Sequence, residues 1–295
     1  PVLGVFMRSA GAPAALAPIP SYAFPESAAL ALARVTAYGE WRSKPVVAIP
    51  ALDRFDRDGI RRIVDDVLTR GPGWASPDQA HALLAAAGIT GATSQVAMGL
   101  EEVVTAASQL GFPVALKALG PTLLHKTERR AVTLNIRDEI GLRTAYADFE
   151  TRFGGEMTAA LVQQMVDQGV EMIVGALHDP VFGPIVACGT GGILVDVLAD
   201  TAFRLHPLNA SDAADMVDEL RGARLLRGYR GSQPADEAAL RDVILRVSEL
   251  VRVAPEIQEL DLNPLIVLAA GARVADVRLR HDAAMPAKRA RRVEY

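Results

Sequence analysis

Cysteine is nearly absent. The 295-residue chain has one, Cys188, so no internal disulfide can form, and a reducing, cytoplasmic setting is expected. Cys188 ends the small apolar run Pro184-Ile185-Val186-Ala187-Cys188, which predicts a buried core residue rather than a nucleophile. No apolar stretch reaches the roughly 18 residues a membrane span needs, and no targeting segment is visible. An excess of positive charge is also missing: 31 Lys and Arg against 35 Asp and Glu leave a net charge of −4. A basic face able to neutralise a nucleic-acid backbone is therefore not expected, and the one basic run, Lys288 to Arg292, reads as a solvated tail after Pro286. The motifs G-x-x-x-x-G-K-[ST], H-E-x-x-H and paired cysteines do not occur, which removes P-loop, zincin and zinc-ribbon chemistry.

What is present is an ordinary globular composition, 50% hydrophobic and 22% charged, with length for two domains of about 100–200 residues each. The chain opens directly into a strand-like run, Val2 to Phe6, without an initiator methionine, so a fragment of a longer polypeptide is expected. Residues 1–45 read as strand, Gly/Pro-rich loop, short strand (Ser21 to Phe24) and a helix from Glu26 to about Trp41. Residues 46–73 read as a linker containing a charged helix, Arg57 to Thr69, closed by Gly71-Pro72-Gly73. From Trp74 onward, Ser76 is a suitable N-cap with Pro77 at the first helical position, and a helix runs to Ala87. A second helix, Gly99 to Leu110, stops at Gly111. Strands are expected at Val114–Leu119, Ala131–Ile136, Ala160–Met165, Glu171–Ala176 and Pro184–Gly189. Helices are expected at Glu139–Phe153, Ala210–Leu220 and Glu237–Ala254, followed by two C-terminal strands. Strands and helices mix without strict alternation, so the expected class is α/β, built as two small α+β lobes around a cleft.

The C-terminal strands hold the most informative stretch, Glu259-Leu260-Asp261-Leu262-Asn263-Pro264-Leu265-Ile266-Val267. Period-two alternation puts Glu259, Asp261 and Asn263 on one face, and Pro264 is expected to end the pattern. A second alternating run, Ala272 to Leu279, carries Asp276. If the runs pair, Asn263 and Asp276 meet across one face, and an amide with a carboxylate suits Mg²⁺ held against a nucleotide. The alternative is the solvated face of an edge hairpin. Lys117 lies in the otherwise apolar Val114–Leu119, where a charge needs an opposite partner such as a phosphate, unless the strand is an edge from which the lysine snorkels. His125 follows in a loop. Gly191 and Gly192, after a strand, could bring backbone N–H groups close to an anion or form a plain turn. Glu171 and Asp196 are further acids in strand-like contexts.

The segments FPVALKALGPTLLHKTE, VEMIVGALHDPVFGPIVACGTGGILVDVLADTAFRLHPL and ELDLNPLIV, in this order over about Trp74 to Arg280, resemble the ATP-grasp portion of NDP-forming acyl-CoA synthetases, relatives of succinyl-CoA ligase. Residues 1–45 resemble the end of the flavodoxin-like CoA-ligase domain that precedes it in fused members. The resemblance implies an ATP-grasp domain over 74–295, with a small lobe at about 92–167. It implies ATP/ADP and Mg²⁺ as ligands, and the CoA-binding and phosphohistidine domains, in the same chain or a second one, as partners through which a small acid and CoA act. Self-association into a homo-oligomer is left open. By the resemblance, Lys117 meets the nucleotide phosphates, Glu171 with Gly191 and Gly192 belongs to the nucleotide pocket, and Asn263 and Asp276 are metal ligands. Asp261 steadies the incoming phosphohistidine, and His125 is a relay histidine. Four positions depart from the family pattern: Arg130-Ala131 replaces a glycine pair, Asp196 stands where Glu is common and Gln164 where an acid is common. The altered loop motivates the alternative of an impaired ligase-like regulatory or sensor module, as in relatives fused to a protein acetyltransferase.

Overall fold

The computed structural model describes residues 2–7, 14–16, 18–43, 48–121, 123, 129–192 and 200–283. The chain divides into two compact units, Pro1–Ala48 and Ile49–Tyr295. In the first, β1 (Gly4–Val5) and β2 (Ser21–Tyr22) pair in parallel, and α1 (Pro25–Ser43) follows with only Ala28 buried.

In the second unit, α2 (Arg57–Leu68) is capped by the Asp56 carboxylate on the Gly59 N–H. Although it falls in the stretch expected to be a linker, its Ile60 and Val64 are built into a large hydrophobic core. A short β3 (Gly73–Trp74) precedes α3 (Pro77–Ala86), which starts with the Ser76/Gln79 capping box and so has its first N–H groups satisfied reciprocally.

The small lobe comes next in the chain. Its elements are β4 (Ser94–Ala97), α4 (Leu100–Leu110), β5 (Val114–Leu119), β6 (Val132–Ile136), α5 (Glu139–Phe153) and β7 (Ala159–Gln164). The four strands form an antiparallel sheet in the order β4-β7-β5-β6. Alternation sorts its faces. Val114, Leu116, Ala118, Ala160 and Val162 pack with Val103 and Ala107 of α4 and Leu142 and Phe149 of α5, which leaves Ala115, Lys117, Leu161 and Gln163 on the opposite face.

The remaining strands are β8 (Val170–Asp179), β9 (Gly183–Thr190), β10 (Thr201–Leu205), β11 (Ile257–Val267), β12 (Ala272–Val274) and β13 (Val277–His281). They form an antiparallel sheet in the order β10-β9-β8-β11-β13-β3, with β12 also paired to β11. Between β10 and β11 lie α6 (Ala210–Glu219), α7 (Ala223–Leu226) and α8 (Glu237–Val253). Leu240, Ile244, Val247 and Val251 of α8 recur at helical spacing and pack onto Val174, Val186, Cys188, Leu260 and Leu262 of the sheet, as a one-faced helix should. Strand β11 runs through Pro264 to Val267 rather than ending at the proline; the register against β8 shifts between Leu262 and Leu265, which absorbs the missing N–H donor in a bulge.

Candidate active site

Lys117 sits on an interior strand, since β5 pairs with β6 on one side and β7 on the other. The snorkelling reading of an edge lysine is therefore excluded. Its side chain is only 7% exposed, and the ammonium needs compensation. The large lobe supplies it: Lys117 Nζ donates to the Ala275 carbonyl at 2.8 Å and to Asp276 Oδ1 at 3.0 Å. The opposite charge expected for this lysine is thus, in part, a protein carboxylate.

Asp276 lies in the break between β12 and β13. The second alternating run is two short strands, interrupted at Ala275-Asp276. Leu262 pairs with Val277, and one step further the Asn263 N–H donates to the Asp276 carbonyl at 3.0 Å. Asn263 and Asp276 are therefore opposite one another, as the pairing of the two runs predicts, and residues opposite in an antiparallel pair share a face. No group of three or more His, Cys, Asp or Glu with metal-binding geometry occurs among the described residues. One carboxylate and one amide is the sparse oxygen set that Mg²⁺ accepts when waters and phosphate oxygens complete its shell, so the residues present fit that ion.

Asp261, two residues before Asn263, faces the same side of the sheet, in register with Arg278 on β13 and Gly175 on β8. Burial pushes its carboxyl above the usual range, with Asp276 and Glu259 adding to the rise and Arg278 opposing it. The cross-strand arginine keeps a negative charge tolerable there.

On the other side of β11, the Gly191 N–H donates to the Glu171 carbonyl at 2.8 Å. A Cβ on Gly191 would lie 2.8 Å from the Glu171 carbonyl carbon, and one on Gly192, at φ +69°, would lie 2.9 Å from Glu171 Oε2. Gly191 is thus required by close approach to the Glu171 backbone and Gly192 favoured by its left-handed φ, and all three expected pocket residues are brought together. Glu171, on β8, is exposed and pairs with Ile266 of β11, three residues beyond Asn263 on that neighbouring strand.

His125 and Asp196 lie outside the described residues. Arg130 has a left-handed backbone, φ +53°, at a position where the resemblance expects glycine, and its carbonyl accepts from Arg152 Nη1 at 2.9 Å. Burial pushes the Cys188 thiol up to about 12, in keeping with an inert core residue. Gln163 was not singled out by the sequence. It is buried on the same sheet face as Lys117, and its Nε2 donates to the Ala275 carbonyl at 3.0 Å. The available signal was a pair of glutamines, Gln163 and Gln164, ending an otherwise apolar strand.

A cavity of about 600 Å³ opens between the lobes, lined by Trp74, Ser76, Leu119, Thr158, Glu259 and Arg278 among others. Lys117, Asn263 and Asp276 do not line it. It includes Leu119, two residues past Lys117 on β5, and Val277 and Arg278 of β13, which directly follow Asp276, so it continues the cleft rather than marking the charged site itself.

Two lobes that meet at a buried lysine from one sheet and a carboxylate beside an amide from the other are the arrangement of a nucleotide-grasping class of protein. The family described as ATP-grasp domain matches residues 66–280, and the chain belongs to it. It is 36% identical over 266 residues to an ADP-forming acetate–CoA ligase I of Archaeoglobus fulgidus, covering 88% of this chain and 38% of that protein. The chain therefore spans well under half of that relative. It is 34% identical over 226 residues to the β subunit of ADP-forming acetate–CoA ligase II of Pyrococcus furiosus, covering 74% of this chain and 96% of that subunit. Among solved structures it resembles the dinucleotide-forming acetyl-coenzyme A synthetase 1 of Ca. Korarchaeum cryptofilum. That protein was solved with coenzyme A and Mg-AMPPCP, its phosphohistidine segment pointing towards the nucleotide site. The TM-score is 0.66 at 34% identity, covering 75% of this chain and 99% of that one. The expected α/β class with an ATP-grasp fold stands; the flavodoxin-like origin of residues 1–45 is a separate proposal.

Proposed function

We propose that this chain is the nucleotide-binding part of an NDP-forming acyl-CoA ligase, passing a phosphoryl group between a partner's phosphohistidine and ADP/ATP. The observation that carries the reading is the meeting of Lys117, Asn263 and Asp276 across the cleft, in a chain that matches β subunits of such ligases along nearly their whole length. Phosphoryl transfer asks the protein chiefly for alignment and charge neutralisation. Lys117 Nζ donates to Ala275 and Asp276, and a phosphate oxygen entering the cleft would compete with these two acceptors for its N–H groups. Asn263 and Asp276 would hold Mg²⁺, which when bound supplies positive charge to the phosphate oxygens. Glu171, Gly191 and Gly192 wall the nucleotide side. Asp261 would accept the N–H of the partner's imidazole and so fix the tautomer that presents the other nitrogen to phosphorus. In that step the P–N bond breaks as a terminal oxygen of ADP bonds to phosphorus. His125 would act as the relay histidine, on resemblance alone.

The partners are the CoA-binding and phosphohistidine domains, fused or separate, and the acid and CoA act through them. A cytoplasmic setting suits the single cysteine. Residues 1–45 are, on this reading, the end of the preceding CoA-ligase domain. Calorimetric titration with Mg·ADP and Mg·ATP tests the proposal. Binding that is tightened by Mg²⁺ and abolished in Lys117→Ala is expected; a folded chain that binds neither nucleotide would overturn it.

A further inference from the structure

The Ala275-Asp276 peptide falls where the sheet ladder is interrupted, between β12 and β13. Regular strand pairing therefore does not hold Asp276 by itself. On the large-lobe side, the Ala275 N–H donates to the Pro264 carbonyl at 2.9 Å, and the Asp276 carbonyl accepts from the Asn263 N–H at 3.0 Å. From the small lobe, two buried donors converge on the Ala275 carbonyl, Lys117 Nζ at 2.8 Å and Gln163 Nε2 at 3.0 Å. They come from the same sheet face: Lys117 pairs with Leu161 and Gln163 with Ala115, one diagonal step apart on β5 and β7.

The two donors differ in one respect. The Lys117 ammonium is charged, and its bonds must compete with every anion that enters the site. The Gln163 amide is neutral and, at 3% exposure, sealed from solvent, so its bond does not depend on what the lysine binds. A carbonyl can accept only from the amide nitrogen, which fixes the orientation of the Gln163 side chain.

We propose that Gln163 is a positioning residue for the metal site. By pinning the Ala275 carbonyl across the cleft, it holds Asp276 opposite Asn263 while Lys117 is drawn to phosphate, and it keeps the two lobes in register around the metal. This rests on the functional reading above and adds to it a residue that touches neither metal nor nucleotide.

The experiment is a magnesium titration of ADP binding, followed calorimetrically, in the wild-type chain, Gln163→Met and Gln163→Leu, with thermal melts of each. Both variants remove the donor without adding a charge; should one fail to fold, the other still reports. The magnesium concentration at half-saturation is expected to rise about tenfold, a loss on the scale of one hydrogen bond, while metal-free ADP affinity changes less than about threefold. Wild-type magnesium titrations in both variants would overturn the proposal alone. Equal losses of metal-free and metal-dependent affinity would also overturn it, showing a general packing role. A wild-type chain that binds no Mg·ADP at any metal concentration would overturn the functional reading together with this one.

Discussion

Lys117 and Asp276 neutralise one another across the cleft, Lys117 with a 7% and Asp276 with a 20% exposed side chain, so each substitution has a structural as well as a functional consequence. Lys117→Met leaves the Asp276 carboxylate without its cation; a loss of about 1–3 kcal/mol in a denaturant melt is expected, alongside loss of Mg·ADP binding. Asp276→Asn keeps an oxygen for Lys117 to donate to while removing the metal-binding charge. The fold is expected to survive, with Mg·ADP affinity down by tenfold or more in calorimetry; gross unfolding of this variant would instead make Asp276 a structural residue.

At the scale of elements, the end of β9 and the start of β8 approach so closely that side chains are excluded. Gly191 donates to the Glu171 carbonyl, and a Cβ there would be 2.8 Å from the carbonyl carbon. Because the obstruction is backbone rather than a movable side chain, Gly191→Ala should pry β9 from β8 at this end. A lower melting temperature and weakened nucleotide binding are expected together. Gly192→Ala meets the Glu171 side chain and a left-handed backbone, a cost of about 1–2 kcal/mol. A Gly191→Ala protein that melts and binds as wild type would show that the two strands part without consequence.

For the whole molecule, acid sensitivity has a source away from the cleft. Burial lowers the affinity of His206 and His281 for a proton; Arg252 lowers it further at His206 against an opposing Glu249, and Asp282 opposes it at His281. Neither Nδ1 has a hydrogen-bond partner among the described residues. With folded pKa values below the ordinary ~6.5, the unfolded chain binds more protons in the intervening window, so stability rises with pH through it. The contribution is complete above about pH 6.5 and is lost as pH falls to the depressed folded values. Melts from pH 5 to 7 should flatten in the double variant His206→Gln, His281→Gln; an unchanged slope would place the sensitivity elsewhere.

The sequence by itself determined the longer strands and helices between Ser76 and His281 and their order, because capping residues and periods of two and 3.6 are local properties. From the parity of the two runs it followed that Asn263 and Asp276 share a face if those runs pair; the pairing itself, as against a solvated edge hairpin, is a property of the folded sheet. Short elements such as β4 and β10 carry too few residues for a periodic signal, and the helix at 57–68 was legible as a helix but not as part of the core, which depends on what packs around Ile60 and Val64. Only the tertiary structure decided that Lys117 meets Asp276, and that Gln163, 46 positions from Lys117 in the chain, shares its acceptor at Ala275. Contacts between lobes with separate hydrophobic cores depend on how two sheets face one another, and no local period encodes that geometry.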